Sequence, residues 1–137
     1  MKAFEAITPE GWLRAPGWAH AIAVKNGEIT FLKVAGQVGW DMSTQELVSD
    51  DLAEQYEKAL ENITTLVKAA GGEALDIIEL RIYTTNVKEY NSRIKEMGQA
   101  FRNQIGKHFP TITLLGVTDL FKEDIKIEIE ATAVISG

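Results

Sequence analysis

Two histidines, twenty carboxylates and fourteen basic side chains carry whatever chemistry this chain performs. There is no cysteine, which removes disulfides, thiolate metal sites and a thiol nucleophile. His20 and His108 stand far apart and form no helical metal-ligand pair, so the sequence predicts no metal centre. Glu128 and Glu130 alternate with Ile125, Ile127 and Ile129 near the end of the chain. A half-buried carboxylate in such a run either pairs with a neighbouring Lys or Arg, or stays unpaired, titrates high and moves protons. Taken alone, pairing is the ordinary outcome. Arg14, Arg81, Lys95 and His20 likewise read on their own as surface, interface or structural groups.

The elements that must position these groups follow from periodicity. Lys2–Ile7 alternates as a short strand, and Thr8-Pro9-Glu10-Gly11 and Pro16-Gly17 break the chain. Residues 19–24 and 28–34 read as strands joined through Lys25-Asn26-Gly27, a hairpin signal because Asn and Gly both tolerate positive φ. Residues 41–48 read as a polar loop. A helix follows, with Asp51 and Glu54 as a capping box and Leu52, Tyr56, Ala59, Ile63, Leu66 and Val67 on one face. Gly71-Gly72 ends it. Ile78, Leu80 and Ile82 mark a strand, Tyr90, Ile94, Met97, Phe101 and Ile105 a second helix, and residues 111–117 and 125–134 the last two strands.

The order β-β-β-α-β-α-β-β predicts an α/β (α+β) two-layer sandwich, a mixed sheet with two helices on one face. Its length suits a single domain spanning residues 1–137. The second sheet face carries Ile77, Glu79, Arg81 and Tyr83 on one strand and Lys126, Glu128, Glu130 and Thr132 on another. That mixture fits a solvated face or a subunit interface, and the pattern leaves both open.

Apolar content of 45% and charged content of 25% are ordinary globular values. A formal charge of −6 with scattered Lys and Arg argues against nucleic acid as a partner. No apolar run approaches the roughly 20 residues of a membrane span. The opening residues lack a signal peptide's pattern, so the cytoplasm is the expected compartment.

Several segments together resemble the RidA (YjgF) family. They are Pro16-Gly17-Trp18-Ala19-His20, Val34-Ala35-Gly36-Gln37, Val67-Lys68-Ala69-Ala70-Gly71, Phe109-Pro110 and the run Asp124–Ala131. They fall in order over nearly the whole chain, and the last run is the most specific. The resemblance implies a chorismate-mutase-like fold and a homotrimer with inter-subunit pockets for a small-molecule ligand. It also implies hydrolysis of reactive enamines or imines, such as 2-aminoacrylate, to a carbonyl compound and ammonia, with no cofactor or metal.

By the same resemblance Glu128 is the catalytic residue that orients water. Trp18, Gly36, Gln37, Ile112, Thr113 and Leu114 are the substrate-binding positions. The family's carboxylate-binding arginine, two residues after the proline, is Ile112 here. Isoleucine cannot clamp a carboxylate by bidentate hydrogen bonds. The resemblance therefore implies a substrate other than 2-aminoacrylate, with a more apolar pocket, and makes Arg14, Arg81, His20 and Lys95 candidates for the missing charge. Two other functions compete: a non-catalytic small-molecule-binding trimer and a protein-stabilising trimer.

Overall fold

The structure is a computed structural model describing residues 3–137. Lys2, the first residue of the expected opening strand, lies outside the described residues. Six strands form one sheet: β1 (Phe4–Ile7), β2 (Ala21–Asn26), β3 (Ile29–Gln37), β6 (Ile77–Thr84), β7 (Thr111–Gly116) and β8 (Ile127–Ser136). Their spatial order is β1-β2-β3-β8-β6-β7. Every neighbouring pair is antiparallel except β6 and β7, which run parallel, so the sheet is mixed as expected. The stretch expected as a polar loop holds a two-stranded ribbon of β4 (Trp40–Asp41) and β5 (Glu46–Leu47).

Helices α1 (Leu52–Ala69), α2 (Val87–Ser92) and α3 (Ile94–Ile105) complete the fold. The N–H of Glu54 donates to Asp51 Oδ2 at 3.1 Å, capping α1, a bond worth about 1 kcal/mol. Only half of the expected capping box forms, because the Asp51 N–H donates instead to Ser49 Oγ at 2.9 Å. At the other end Gly71 takes φ +95°. The Gly72 and Gly71 N–H groups then close back onto Val67 O and Lys68 O at 2.9 and 3.0 Å, a Schellman stop. The second helix, expected as one, is broken at Arg93 (φ −118°, ψ 31°). Its guanidinium spans the break, reaching Glu96 and, at 2.8 Å, Asp51 at the start of α1.

Helices α1 and α3 pack on one sheet face, and their apolar stripes meet Leu32, Val34, Leu80, Ile82, Ile127 and Ile129 in the core. Along β8 the odd-numbered residues point into this core, which leaves Glu128, Glu130, Thr132 and Val134 on the opposite face. One expectation is reversed. A bulge between Ile77 and Glu79 turns Ile77 into the core and leaves Ile78 47% exposed. An extra residue in one strand flips the alternation beyond it, and strand periodicity alone does not reveal where that residue sits.

The face away from the helices carries Ile22 and Val24 on β2, Phe31 on β3 and Leu115 on β7, all substantially exposed. Between them lies a polar cluster. Glu130 accepts from the Tyr83 hydroxyl and pairs with Arg81 Nε at 3.2 Å and Lys33 Nζ at 3.4 Å. Thr132 Oγ1 donates to Glu79 at 3.2 Å.

Candidate active site

The two carboxylates that looked equivalent in sequence are placed in different environments. Burial alone would push the Glu130 carboxyl up, but the Tyr83 hydroxyl, Lys33 and Arg81 outweigh it and hold the group below its ordinary value. No such partner reaches Glu128. Among the described residues no hydrogen bond or ion pair holds its carboxyl. Burial, with the nearby Glu130 charge second, raises it above its ordinary 4.5. A carboxyl in that state carries a proton nearer to neutrality than a free one does.

The room for Glu128 comes from β3. Its register with β8 shifts between Val34 and Gln37, so Gln37 turns inward and Gly36 faces Glu128. A Cβ on Gly36 would sit 2.1 Å from Glu128 Oε2 and 2.8 Å from its Cδ. Only glycine allows the carboxyl to lie across the strand there.

Glu128, Gly36, Gln37 and Trp18 line one cavity of about 390 Å³, together with His20, Trp40, Met42, Gln45 and Phe121. Two of its polar groups are already bound: Gln37 Nε2 donates to Ala35 O and His20 Nε2 to Leu13 O, each at 3.0 Å. His20 also stands edge-on to Trp12, ring centroids 5.1 Å apart. It is 3% exposed and sits just before β2, outside the strand. Trp40 and Phe121 meet edge-to-face at 5.4 Å and make an aromatic wall, with Lys122 Nζ 5.7 Å from the Trp40 ring centre.

Buried amides on α1 hold this wall. Asn62 Nδ2 donates to Val38 O and Trp40 O at 3.2 and 3.0 Å. Gln55 donates to Ser49 O and Asp124 O, both at 3.0 Å, and accepts from the Lys126 N–H at 2.9 Å, tying the approach to α1 to the approach to β8.

The other expected positions lie elsewhere in the chain. Ile112 and Leu114 are on β7, pointing to the helix side; Leu114 packs against the core. Ile112 is 49% exposed and lines a separate groove of about 320 Å³ with Tyr90, Phe101 and Phe109. Thr113 points to the opposite face, paired in register with Arg81. A single chain therefore does not bring these three to Glu128. Arg14 and Lys95 are exposed and line no part of the Glu128 cavity, whose described lining contains no Lys or Arg. Trp40, Gln45, Met42 and Phe121 were not anticipated. The two aromatics stand in polar surroundings in the sequence, a weak signal for a binding wall, and Gln45 and Met42 gave none.

Among the described residues no group of three His, Asp or Glu side chains could hold a metal ion, and no helix is long and apolar enough to cross a membrane. The cavity offers one unpaired carboxyl in mostly apolar walls, a setting that can orient a water and pass a proton to a small ligand.

A family model described as endoribonuclease L-PSP matches residues 14–135. The chain is 33% identical over 114 residues to a RutC family protein of Pyrococcus horikoshii, covering 83% of this chain and 85% of that one. It is 29% identical over 101 residues to the human 2-iminobutanoate/2-iminopropanoate deaminase, covering 74% and 70%. The solved structure of Escherichia coli TdcF with bound serine superposes with a TM-score of 0.77, at 28% identity, covering 96% of this chain and 99% of that one.

Proposed function

Because this chain belongs to the RidA (YjgF) family, we propose that it hydrolyses a reactive enamine or imine to a carbonyl compound and ammonia. Relatives named as 2-iminobutanoate/2-iminopropanoate deaminases support the reaction class. The observation that carries the reading is the Glu128 carboxyl, unpaired, raised by burial and exposed to a cavity across Gly36.

The chemistry follows from that carboxyl. In its protonated form Glu128 donates to the imine nitrogen, or to the β-carbon of an enamine to make the imine. The resulting iminium carbon is strongly electrophilic. The carboxylate left behind accepts a proton from a water as it adds to that carbon. The carbinolamine then collapses: Glu128 gives its proton to the amino nitrogen, the C–N bond breaks and ammonia leaves, and the carboxylate takes the hydroxyl proton as the C=O bond forms. Water and imine are consumed, carbonyl compound and ammonia are produced, and Glu128 ends as it began. Effects of positioned acid–base groups of this kind are worth about 10²–10⁴-fold.

The cavity's walls of Trp18, Trp40, Met42 and Phe121, with no Lys or Arg among the described lining residues, favour a substrate other than 2-aminoacrylate, one without a free carboxylate. The exposed apolar residues on the open sheet face and on β7 suit a homotrimer in which a neighbour's Ile112, Thr113 and Leu114 close each pocket. The charge of −6 weighs against nucleic acid as substrate despite the family model's name. A cytoplasmic location remains the expectation. The test is ammonia release from imines made in situ by an amino-acid oxidase, across charged and uncharged side chains and the corresponding amino-acid amides. Acceleration by wild type but not by Glu128→Gln supports the reading. Equal rates with and without protein across the panel move it to a non-catalytic binding trimer.

A further inference from the structure

The ribbon beside the cavity turns on Gln45, whose φ of +58° makes it the one non-glycine residue described with a positive φ. Its N–H donates to Asp41 O at 2.6 Å and closes the turn. Glycine suits such a position, because a Cβ in the left-handed region crowds the following carbonyl. The turn would therefore form more readily without this side chain. Yet the side chain is directed to the cavity that holds Glu128. Its Nε2 is buried with no hydrogen-bond partner, the only buried side-chain nitrogen or oxygen among the described residues in that state.

An amide that served the fold would spend its hydrogens internally, as Asn62, Gln55 and Gln37 do. Gln45 costs the turn its preferred residue and leaves a donor unsatisfied, and the second cost is recovered when an acceptor enters the cavity. The lining names the kind of acceptor. Among the described residues no Lys or Arg lines the cavity, and Glu128 already places one carboxyl in it. An ionised carboxylate there would lose its hydration against mostly apolar walls with no Lys or Arg of the described lining to pair with it. A neutral carbonyl oxygen needs only the N–H that Gln45 offers.

We propose that Gln45 Nε2 donates a hydrogen bond to a neutral carboxamide oxygen of the ligand and so selects imines of amino-acid amides over imines of free amino acids. This inference rests on the hydrolase reading for its reaction: a 2-imino carboxamide and water give a 2-oxo carboxamide and ammonia, one C–O bond forming as the C–N bond breaks. The binding it describes does not depend on turnover.

The experiment uses the full chain, wild type and Gln45→Gly, titrated with 2-oxobutanamide and with 2-oxobutanoate. Fluorescence of Trp18 and Trp40, both on the cavity wall, reports binding. Wild type binds the amide at least tenfold more tightly than the acid. Gln45→Gly weakens amide binding about tenfold, the loss of one hydrogen bond, leaves the acid unchanged, and melts at a higher temperature because glycine accepts the positive φ. That rise in melting temperature removes unfolding as an explanation. Equal amide affinity in the two proteins, a wild-type preference for the acid, or no binding of either compound overturns the proposal. Ammonia release from the matching imines separates it from the hydrolase reading: no acceleration with the Gln45 effect intact sinks the reaction alone, and acceleration with no Gln45 effect sinks this inference alone.

Discussion

Replacing Gly36 by alanine tests the site without touching a group that could do chemistry. The added Cβ would lie 2.1 Å from Glu128 Oε2, 2.8 Å from Cδ and 3.0 Å from Cγ. An ordinary carbon–oxygen contact needs well over 3 Å, so the carboxyl has to move by about 1 Å. The far end of a glutamate can do so by leaving its rotamer, at about 0.5–1.5 kcal/mol. For a domain of this size that lowers the melting temperature by roughly 2–8 °C. The effect on catalysis is larger, because a misplacement of about 1 Å is worth roughly 100-fold in rate, or about 2.7 kcal/mol of barrier. Melting temperature and kcat/KM for ammonia release, measured on the same preparations, separate the two effects. A Gly36→Ala protein that is folded and within threefold of wild type would refute the argument that this carboxyl, in this place, transfers the proton.

Other consequences are independent of that one. Since the folded state raises the Glu128 carboxyl above its ordinary 4.5, wild-type stability falls as pH rises from 4.5 through the displaced value, where the unfolded chain has already lost its proton. Glu128→Gln should therefore be at least as stable as wild type at pH 7, with the difference vanishing below pH 4.5; a variant less stable at pH 7 in thermal melts contradicts the assignment. If a neighbour's β7 closes the pocket, Ile112→Arg adds a carboxylate clamp, and kcat/KM for imines of free amino acids should rise by about tenfold or more, one charge-assisted bond's worth; an unchanged preference in the ammonia assay argues that Ile112 is outside the pocket. If the open sheet face is the interface of the proposed homotrimer, Phe31→Glu places a charge in the middle of it, so sedimentation should show a trimer for wild type and its loss, together with loss of activity, in the variant; an intact trimer in the variant would move the interface elsewhere.

Most of the architecture was legible in the sequence because it rests on local chemistry. The stop at Gly71-Gly72 and the hairpin after β2 need glycines at positive φ, and glycines stand there, although in the hairpin Gly27 alone takes it, at +63°, while Asn26 stays in the strand. The alternation of Ile127, Ile129 and Ala131 with Glu128 and Glu130 fixed which face each occupies. What escaped depends on neighbours distant in sequence. The bulges at Val34/Gln37 and Ile77/Glu79 are settled by pairing with β8. The ribbon over residues 40–47 is held by Asn62 from α1, and the helix break at Arg93 by Asp51. By alternation alone Glu128 and Glu130 read alike, and only the resemblance singled out Glu128; in the fold Tyr83, Arg81 and Lys33 gather on Glu130 alone. The unpaired state of the other is the feature that points to function.

The role of Glu128 as the proton-transfer group of an imine hydrolase is tested by the pH dependence of kcat/KM for wild type and Glu128→Gln on the imine wild type handles best. Wild type should accelerate the reaction by at least about 100-fold over buffer, with an ionisation displaced above the ordinary carboxylate value, and Glu128→Gln should lose both. A Glu128→Gln protein with the wild-type rate and the same pH profile would contradict it.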